Sequence, residues 1–106
     1  MAGNVVYESE SFIILEDIKP DAKIHLLGIP KKHFDNFFSA TENDFKIVKE
    51  IMIYVKEHTE ALGLSGGYRM VVNTGKHAVQ TVSHFHIHFL GGQQLLRTHN
   101  HLVLLK

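Results

Sequence analysis

The stretch that decides the fold is His84-Phe85-His86-Ile87-His88-Phe89, in which three histidines alternate with three large apolar residues. Alternate residues of a β-strand point to the same face. A strand here would offer three imidazoles on one face and anchor the other face in a core. Residues 79–90 are rich in β-branched and aromatic side chains, lack Ala, Glu and Lys, and are followed by two glycines. We therefore expect a strand, although His84 and His88 would also share one face of a helix.

Zinc binding is the first function that a group of three histidines suggests. Residues four apart on a strand are separated by roughly 13 Å at ~3.3 Å per residue, and a histidine-bound zinc lies ~2 Å beyond the ring nitrogen. One ion could therefore contact His84 and His88 only in a nearly linear arrangement. A pair such as His84 and His86 with a ligand from elsewhere stays open, whereas thiolate sites are excluded because the chain has no cysteine. We assign no metal and no cofactor.

Phosphate chemistry suits the same residues better. Imidazoles donate hydrogen bonds to phosphoryl oxygens and act as nucleophiles or general acids near neutral pH. The middle histidine could attack phosphorus while a flanking one supplies a proton to the leaving group. Three solvated histidines on a sheet face are the structural alternative.

Several ordered motifs then point to a family. Residues 84–90 match the histidine triad (HIT) pattern, His-φ-His-φ-His-φ-φ with φ apolar, and four further segments resemble the histidine triad nucleotide-binding (HINT) branch. These segments are Asp17-Ile18-Lys19-Pro20, Ile29-Pro30-Lys31-Lys32-His33, Gly67-Tyr68-Arg69-Met70-Val71-Val72-Asn73 and Leu90-Gly91-Gly92. The resemblance covers roughly residues 6–94.

The resemblance implies a small α+β fold and a homodimer that binds purine nucleoside monophosphates. It also implies hydrolysis of nucleoside 5′-phosphoramidates, in which the P–N bond is cleaved through a nucleotidyl-histidine intermediate. His86 matches the nucleophile of the family, and His88 matches the residue beside the phosphate and leaving group. His84 and His25 match supporting members of the histidine network.

Six further residues match the substrate-binding positions of the family. Asp17 and Ile18 match the ribose-binding region, where the carboxylate is suited to accept from two sugar hydroxyls. Asn73 and Thr81 match polar contacts near the phosphate, and the phosphate-side loop contains Val79, Gln80 and Thr81. From the residues alone, a turn-stabilising role is favoured for Asp17 and is an equal alternative for Asn73.

Two departures from the HINT pattern bear on activity. Ala78 and Val79 stand where the family has glycines, and added Cβ atoms narrow the approach of the backbone to phosphate. The N-terminal portion before Val5 and the C-terminal portion also differ from the family. A nucleotide-binding or interaction module with weak or absent catalysis is therefore one alternative, and a dinucleoside polyphosphate hydrolase is another.

Composition limits the remaining classes. The chain has 106 residues with 11 basic and 11 acidic side chains, so we expect one domain with irregular ends at roughly 1–5 and 95–106. This balance provides no basic excess for a nucleic acid. The absence of cysteine and of a signal-like start favours a cytoplasmic protein. No apolar run is long enough to span a membrane.

The rest of the chain predicts an antiparallel sheet of about five strands with one main helix. Residues 12–15 and 24–29 are strand-like, and His25 alternates with apolar neighbours so that it could meet the triad across the sheet. Residues 41–62 have helical spacing, with a capping box at Thr41 and Asp44 and a terminator at Gly63. The expected core stripe is Val48, Ile51, Met52, Val55, Thr59 and Leu62.

Two shorter segments complete the sequence-based prediction. Residues 68–73 are expected to form a strand before a loop at 74–78. The basic run Lys31-Lys32-His33 favours a solvated turn over a phosphate clamp. The tail histidines His99 and His101 receive no role.

Overall fold

A five-stranded antiparallel sheet forms the frame of the molecule. The computed structural model describes residues 3–97. The strands are β1 (Val5–Glu8), β2 (Phe12–Glu16), β3 (Ile24–Pro30), β4 (Tyr68–Val71) and β5 (Ile87–Gly91), in the order β1-β2-β3-β5-β4. The predicted fold class is confirmed. The tail histidines lie outside the described residues, as does most of the predicted irregular end at 95–106.

The main helix is shorter than predicted. Helix α1 (Glu42–Glu57) begins at the expected capping box, in which Thr41 Oγ1 accepts from the Asp44 amide and the Thr41 amide donates to Asp44 Oδ2. It ends at His58, whose Nδ1 lies 2.7 Å from the Tyr54 carbonyl oxygen. A continuing α-helix would give that carbonyl to the His58 amide, which instead donates to Val55. The His58 side chain therefore occupies the Tyr54 carbonyl oxygen, which the His58 amide would need if the helix continued.

A second helix completes the predicted segment. Helix α2 (Thr59–Leu62) follows the break and ends at Gly63, which adopts the left-handed conformation at φ 79°. That terminator was predicted, although for one continuous helix. Together the two helices occupy the segment that hydrophobic periodicity identified as helical.

The core lies between α1 and one face of the sheet. Asp44, Val48, Ile51 and Val55 form the buried side of α1, and Phe85, Ile87 and Phe89 face them. The helix approaches β3 closely, because a Cβ added at Gly28 would lie 2.6 Å from Ile51 Cγ2. The prediction of Met52 as a core residue is wrong. It lies beside the stripe and is 40% exposed.

The two lysines of the basic run after β3 form ion pairs with β1 and with α1. Lys31 Nζ lies 2.6 Å from Glu8 Oε2, and Lys32 Nζ lies 2.7 Å from Oδ1 of the buried Asp44. The hydrogen bond from Lys32 is the main cause of a lowered Asp44 pKa. The prediction was a solvated turn, and the structure adds that both lysines are paired with carboxylates. Within residues 3–97, no helix has the length and apolar character needed to cross a membrane.

Candidate active site

The triad keeps its alternation but begins before its strand does. Phe85, Ile87 and Phe89 are buried, while His84, His86 and His88 are half-buried. The prediction of a strand over residues 79–90 is wrong in its start, because β5 begins at Ile87. Upstream, the Phe85 amide donates to the Phe34 carbonyl at 2.8 Å. Before Ile87, a backbone hydrogen bond to the loop after β3 therefore takes the place of pairing with a neighbouring strand.

The backbone fixes the proton of His86. His86 Nδ1 lies 2.8 Å from the His84 carbonyl oxygen. A carbonyl can only accept, so Nδ1 carries the proton. In the neutral ring, Nε2 is left with a free lone pair. His86 is thus held in the tautomer that a nucleophile needs.

A second set of contacts fixes the proton of His88. The Asp21 amide donates to His25 Nδ1 at 3.0 Å, so the proton of neutral His25 lies on Nε2. That Nε2 lies 2.8 Å from His88 Nδ1, which must accept. The neutral His88 ring therefore carries its own proton on Nε2. The sequence placed His25 correctly near the triad but gave no role to the Asp21 backbone.

Electrostatics keep His88 neutral. Burial, followed by the neighbouring His86 and His25, lowers the pKa of His88 below its usual 6.5, although Asp17 and Asp21 oppose the shift. At pH 7 His88 is thus a neutral hydrogen-bond donor at Nε2. The rings of His86 and His88 meet edge to face, with centroids 5.0 Å apart. Neighbouring rings therefore offer a proton donor on His88 and an unprotonated nitrogen on His86.

His84 has a supporting position. Its Nε2 donates to the Pro30 carbonyl at 2.9 Å. Its ring packs edge to face against His33 at 4.9 Å, and His33 Nε2 lies 2.7 Å from the Ser83 carbonyl oxygen. His84 thus ties the segment before β5 to the end of β3. Sequence reasoning missed His33, which had been interpreted only as part of a basic turn.

Asp17 makes a turn contact and also faces His25. Its Oδ1 accepts from the Lys19 amide at 2.8 Å, which is a turn contact. Its Oδ2 lies 3.5 Å from His25 Nε2. The adjacent Ile18 is 59% exposed. A carboxylate beside the histidine chain is therefore followed by an accessible apolar side chain.

Asn73 and Thr81 lie on the segment that connects β4 to β5. The β4–β5 register pairs Val71 with His88, and two more residues in the same register would place Asn73 opposite His86. Asn73 is half-buried, and Thr81 is exposed. Their position near the phosphate stays a prediction.

The loop before the triad is strained and firmly held. Val79 has φ 59° and ψ 45°, a left-handed conformation that is unfavourable for a β-branched residue. Gln80 Oε1 accepts from the Gly75 amide and Asn36 Nδ2, and its Nε2 donates to two carbonyls, those of Asp35 and Val82. The predicted contact residue Gln80 therefore uses its side chain inside the protein.

One group of side chains has the spacing of a metal site. The ligand atoms of Asp17, His25 and His88 lie within 4.8 Å of one another. A neutral histidine that binds metal through Nε2 must protonate Nδ1 and donate from it. His25 Nδ1 instead faces the Asp21 amide, which is itself a donor. The group is therefore better suited to passing hydrogen bonds than to holding zinc.

A cavity of about 470 Å³ adjoins the Asp17 end of the site. Besides Asp17 and His25, its walls include Val6, Ile24 and Leu62. The cavity thus extends from the histidine network towards apolar residues.

Comparisons with known proteins agree with this fold. A family model described as "Scavenger mRNA decapping enzyme C-term binding" matches residues 1–101. An uncharacterized HIT-like protein of Chlamydia trachomatis is 41% identical over 87 residues, covering 82% of this chain and 78% of the relative. The fold and the histidines define a histidine triad protein. The chain belongs to the histidine triad family, as its sequence motifs predicted.

Solved structures extend the agreement to three dimensions. A HIT family hydrolase from Legionella pneumophila matches with a TM-score of 0.82 at 37% identity, covering 91% of this chain and 87% of that one. A hypothetical histidine triad nucleotide-binding protein from Sulfolobus tokodaii matches with a TM-score of 0.73 at 33% identity, covering 86% and 61%.

Proposed function

We propose that this chain is a purine nucleotide-binding hydrolase of the HINT type that cleaves nucleoside 5′-phosphoramidates. The observation that carries the proposal is the pair of opposite ring tautomers: His86 offers a lone pair at Nε2 beside a proton on His88 Nε2. The hydrolase and the nucleotide-binding protein among its structural relatives support the same class of chemistry.

The first half-reaction transfers the nucleotide to His86. Nε2 attacks phosphorus, a P–N bond to the ring forms, and the P–N bond of the substrate breaks with its electron pair leaving on the amine. His88 Nε2–H donates to the phosphoryl group, where preorganised donors stabilise developing charge. The departing amine takes its proton from water, and the hydroxide left behind is neutralised by the proton that the second half-reaction releases.

The second half-reaction frees the enzyme. Water attacks phosphorus, the bond to His86 Nε2 breaks, and its electron pair returns to the ring. A nucleoside monophosphate and a proton leave. Asp17 would accept from the ribose hydroxyls, and Ile18 would contact the base. Asn73, Thr81 and the backbone of Val79 and Gln80 would lie along the phosphate.

The decisive experiment traps the intermediate. Purified protein is incubated with adenosine 5′-phosphoramidate, quenched in base to preserve a P–N bond, and digested for mass mapping. We expect a nucleotidyl group on His86, no adduct and no turnover in His86→Ala, and unchanged behaviour in His58→Ala, an exposed histidine on the helix break. Absence of turnover in wild type, beside an active relative in the same assay, would overturn the proposal.

One observation favours the second candidate, a nucleotide-binding module with weak catalysis. Val79 introduces a strained side chain into the phosphate-side loop. Calorimetry with AMP and GMP, beside the turnover assay, separates the two functions, because binding without turnover supports the module. Including a dinucleoside polyphosphate in the turnover assay tests the third candidate.

A homodimer belongs to the same proposal. Strand β4 is an edge of the sheet, and its Met70 is 39% exposed. An open edge with an apolar side chain is a surface on which a second copy can pair. Sedimentation equilibrium should give twice the chain mass, and a monomer at assay concentrations would contradict this part.

A further inference from the structure

A groove on the helix side of the sheet lies between the β1–β2 hairpin and α1. Its volume is about 570 Å³. We call it the acidic groove. Its floor is apolar and is formed by Tyr7, Phe12, Ile53 and Tyr54. Its rim is acidic and is formed by Glu10, Glu50 and Glu57.

The floor is apolar and held in place by ring packing. Tyr7 stacks on Tyr54 with centroids 3.9 Å apart and planes 16° apart, and Tyr54 stacks in turn on His58 at 4.1 Å. Phe12 packs against both tyrosines at 5.7 and 6.0 Å. Ile53 is 41% exposed. The groove therefore presents a preformed apolar surface. Binding would not carry the entropy cost of ordering the side chains of the floor.

The rim has one sign of charge. Glu10 lies in the hairpin turn, and Glu50 and Glu57 lie on the exposed side of α1. The two helix positions are seven residues apart, which is about 10.5 Å along the axis. The residues that line the groove include no lysine or arginine. Ser11 Oγ contacts Glu50 Oε1 at 2.5 Å, which leaves the charge in place.

The acidic groove is remote from the histidine chemistry. Its floor packs on the helix side, whereas the triad histidines occupy the face opposite to Phe85, Ile87 and Phe89. Neither a phosphate nor a nucleotide suits three carboxylates, since like charges repel. A cationic occupant matches the rim, and an apolar one matches the floor.

We propose that the acidic groove binds a basic, apolar peptide segment of a partner protein. Two lysine or arginine side chains three residues apart in a polyproline II peptide lie on the same face and are separated by about 9 Å at ~3.1 Å per residue, which is close to the spacing of about 10.5 Å along α1. An apolar residue between them would lie on Ile53 and Tyr54. The long basic side chains would reach the carboxylates of the rim.

The experiment uses the full chain and a fluorescein-labelled peptide, Gly-Arg-Leu-Ala-Arg-Leu-Gly, in an anisotropy titration at low salt. We expect saturable binding that weakens as salt rises, because exposed charges are screened. The triple variant Glu10→Gln, Glu50→Gln, Glu57→Gln should weaken binding at least tenfold. The control triple Glu16→Gln, Asp35→Asn, Glu42→Gln changes the net charge equally and should change binding less than twofold.

A second pair of variants tests the apolar floor. Ile53→Ser should weaken binding at least threefold, whereas Met52→Ser, an equally exposed neighbour outside the groove, should not. Amide chemical-shift changes should centre on the hairpin turn and on residues around Ile53, and thermal melts check that each variant is folded. These readouts need no nucleotide, so their failure is independent of the proposed hydrolase.

Three results would overturn the proposal. One is equal weakening in the two charge triples, which would indicate attraction to the overall charge. Another is equal binding of the control peptide Gly-Arg-Ser-Ala-Arg-Ser-Gly or of spermine, which would exclude a contribution from the apolar floor. The third is a chemical-shift map centred outside the groove.

Discussion

Nε2 of His25 lies 2.8 Å from Nδ1 of His88, and the Asp21 amide behind it dictates which of the two rings donates. This contact joins a buried histidine on β3 to the last histidine of the triad on β5. It sets both the orientation of the His88 ring and the nitrogen that carries its proton.

Replacing His25 should therefore affect catalysis through His88. His25→Gln is expected to lower kcat about tenfold, the equivalent of one lost hydrogen bond of about 1.4 kcal/mol, with a smaller effect on KM. Nitrogen-15 chemical shifts should show His88 exchanging between tautomers. An unchanged His88 spectrum would contradict the role of His25 as a positioning residue, even if the variant were slower.

Val79 stores strain that a glycine would release. A left-handed non-glycine residue costs roughly 1–2 kcal/mol, and the added chain entropy of glycine offsets about 0.5–1 kcal/mol of the gain. Val79→Gly should therefore raise the free energy of unfolding by about 0.5–1 kcal/mol in urea titrations. Ala78→Gly, one residue earlier, is the control and should give no gain. A less stable Val79→Gly variant would indicate that the isopropyl group makes packing contacts that outweigh the strain.

Gln80 should be more important for stability than a surface glutamine. Gln80→Ala removes four hydrogen bonds and leaves the Gly75 amide without its side-chain acceptor, so we expect a loss of about 1–3 kcal/mol and faster amide exchange at Gly75. Gln94→Ala is the matched control, because within residues 3–97 its side chain bonds only the neighbouring Leu95 carbonyl. Equal effects in the two variants would exclude a special role for Gln80.

Asp44 makes stability depend on pH in the acid range. The pKa of Asp44 is lower in the folded protein than its usual 3.8, first because of the hydrogen bond from Lys32. Its contribution is therefore present above about pH 3.8 and is lost as pH falls through the folded value. The difference in unfolding free energy between wild type and Asp44→Asn should be constant from pH 7 to 5 and shrink below pH 4. An exposed control, Asp35→Asn, should show a smaller change with pH.

The sequence was most informative where a local period decides the structure. Alternation in the triad predicted which side chains are buried, and the Thr41–Asp44 capping box marked the start of α1. The approach of His25 to the triad also followed from alternation on β3. These features depend on neighbours that are close in the chain, so a single sequence contains most of the information.

Contacts that no hydrophobic period reveals, whether near or far along the chain, decided what the sequence could not predict. The start of β5 shifted to Ile87 because Phe85 pairs with Phe34, which is far away in the chain. The helix broke at His58 because one imidazole competes for the Tyr54 carbonyl. The tautomer of His25 depends on a backbone amide that no periodicity identifies.

The Asp21 amide has a consequence for how the chain can vary. A peptide N–H does not titrate between pH 2 and 12, and every residue type except proline has one. Position 21 should therefore accept nearly any side chain while the direction of the donor chain behind His88 is preserved. Proline is the one natural replacement that lacks the N–H and so would remove the hydrogen bond that fixes the His25 tautomer. The imidazoles themselves would be unchanged.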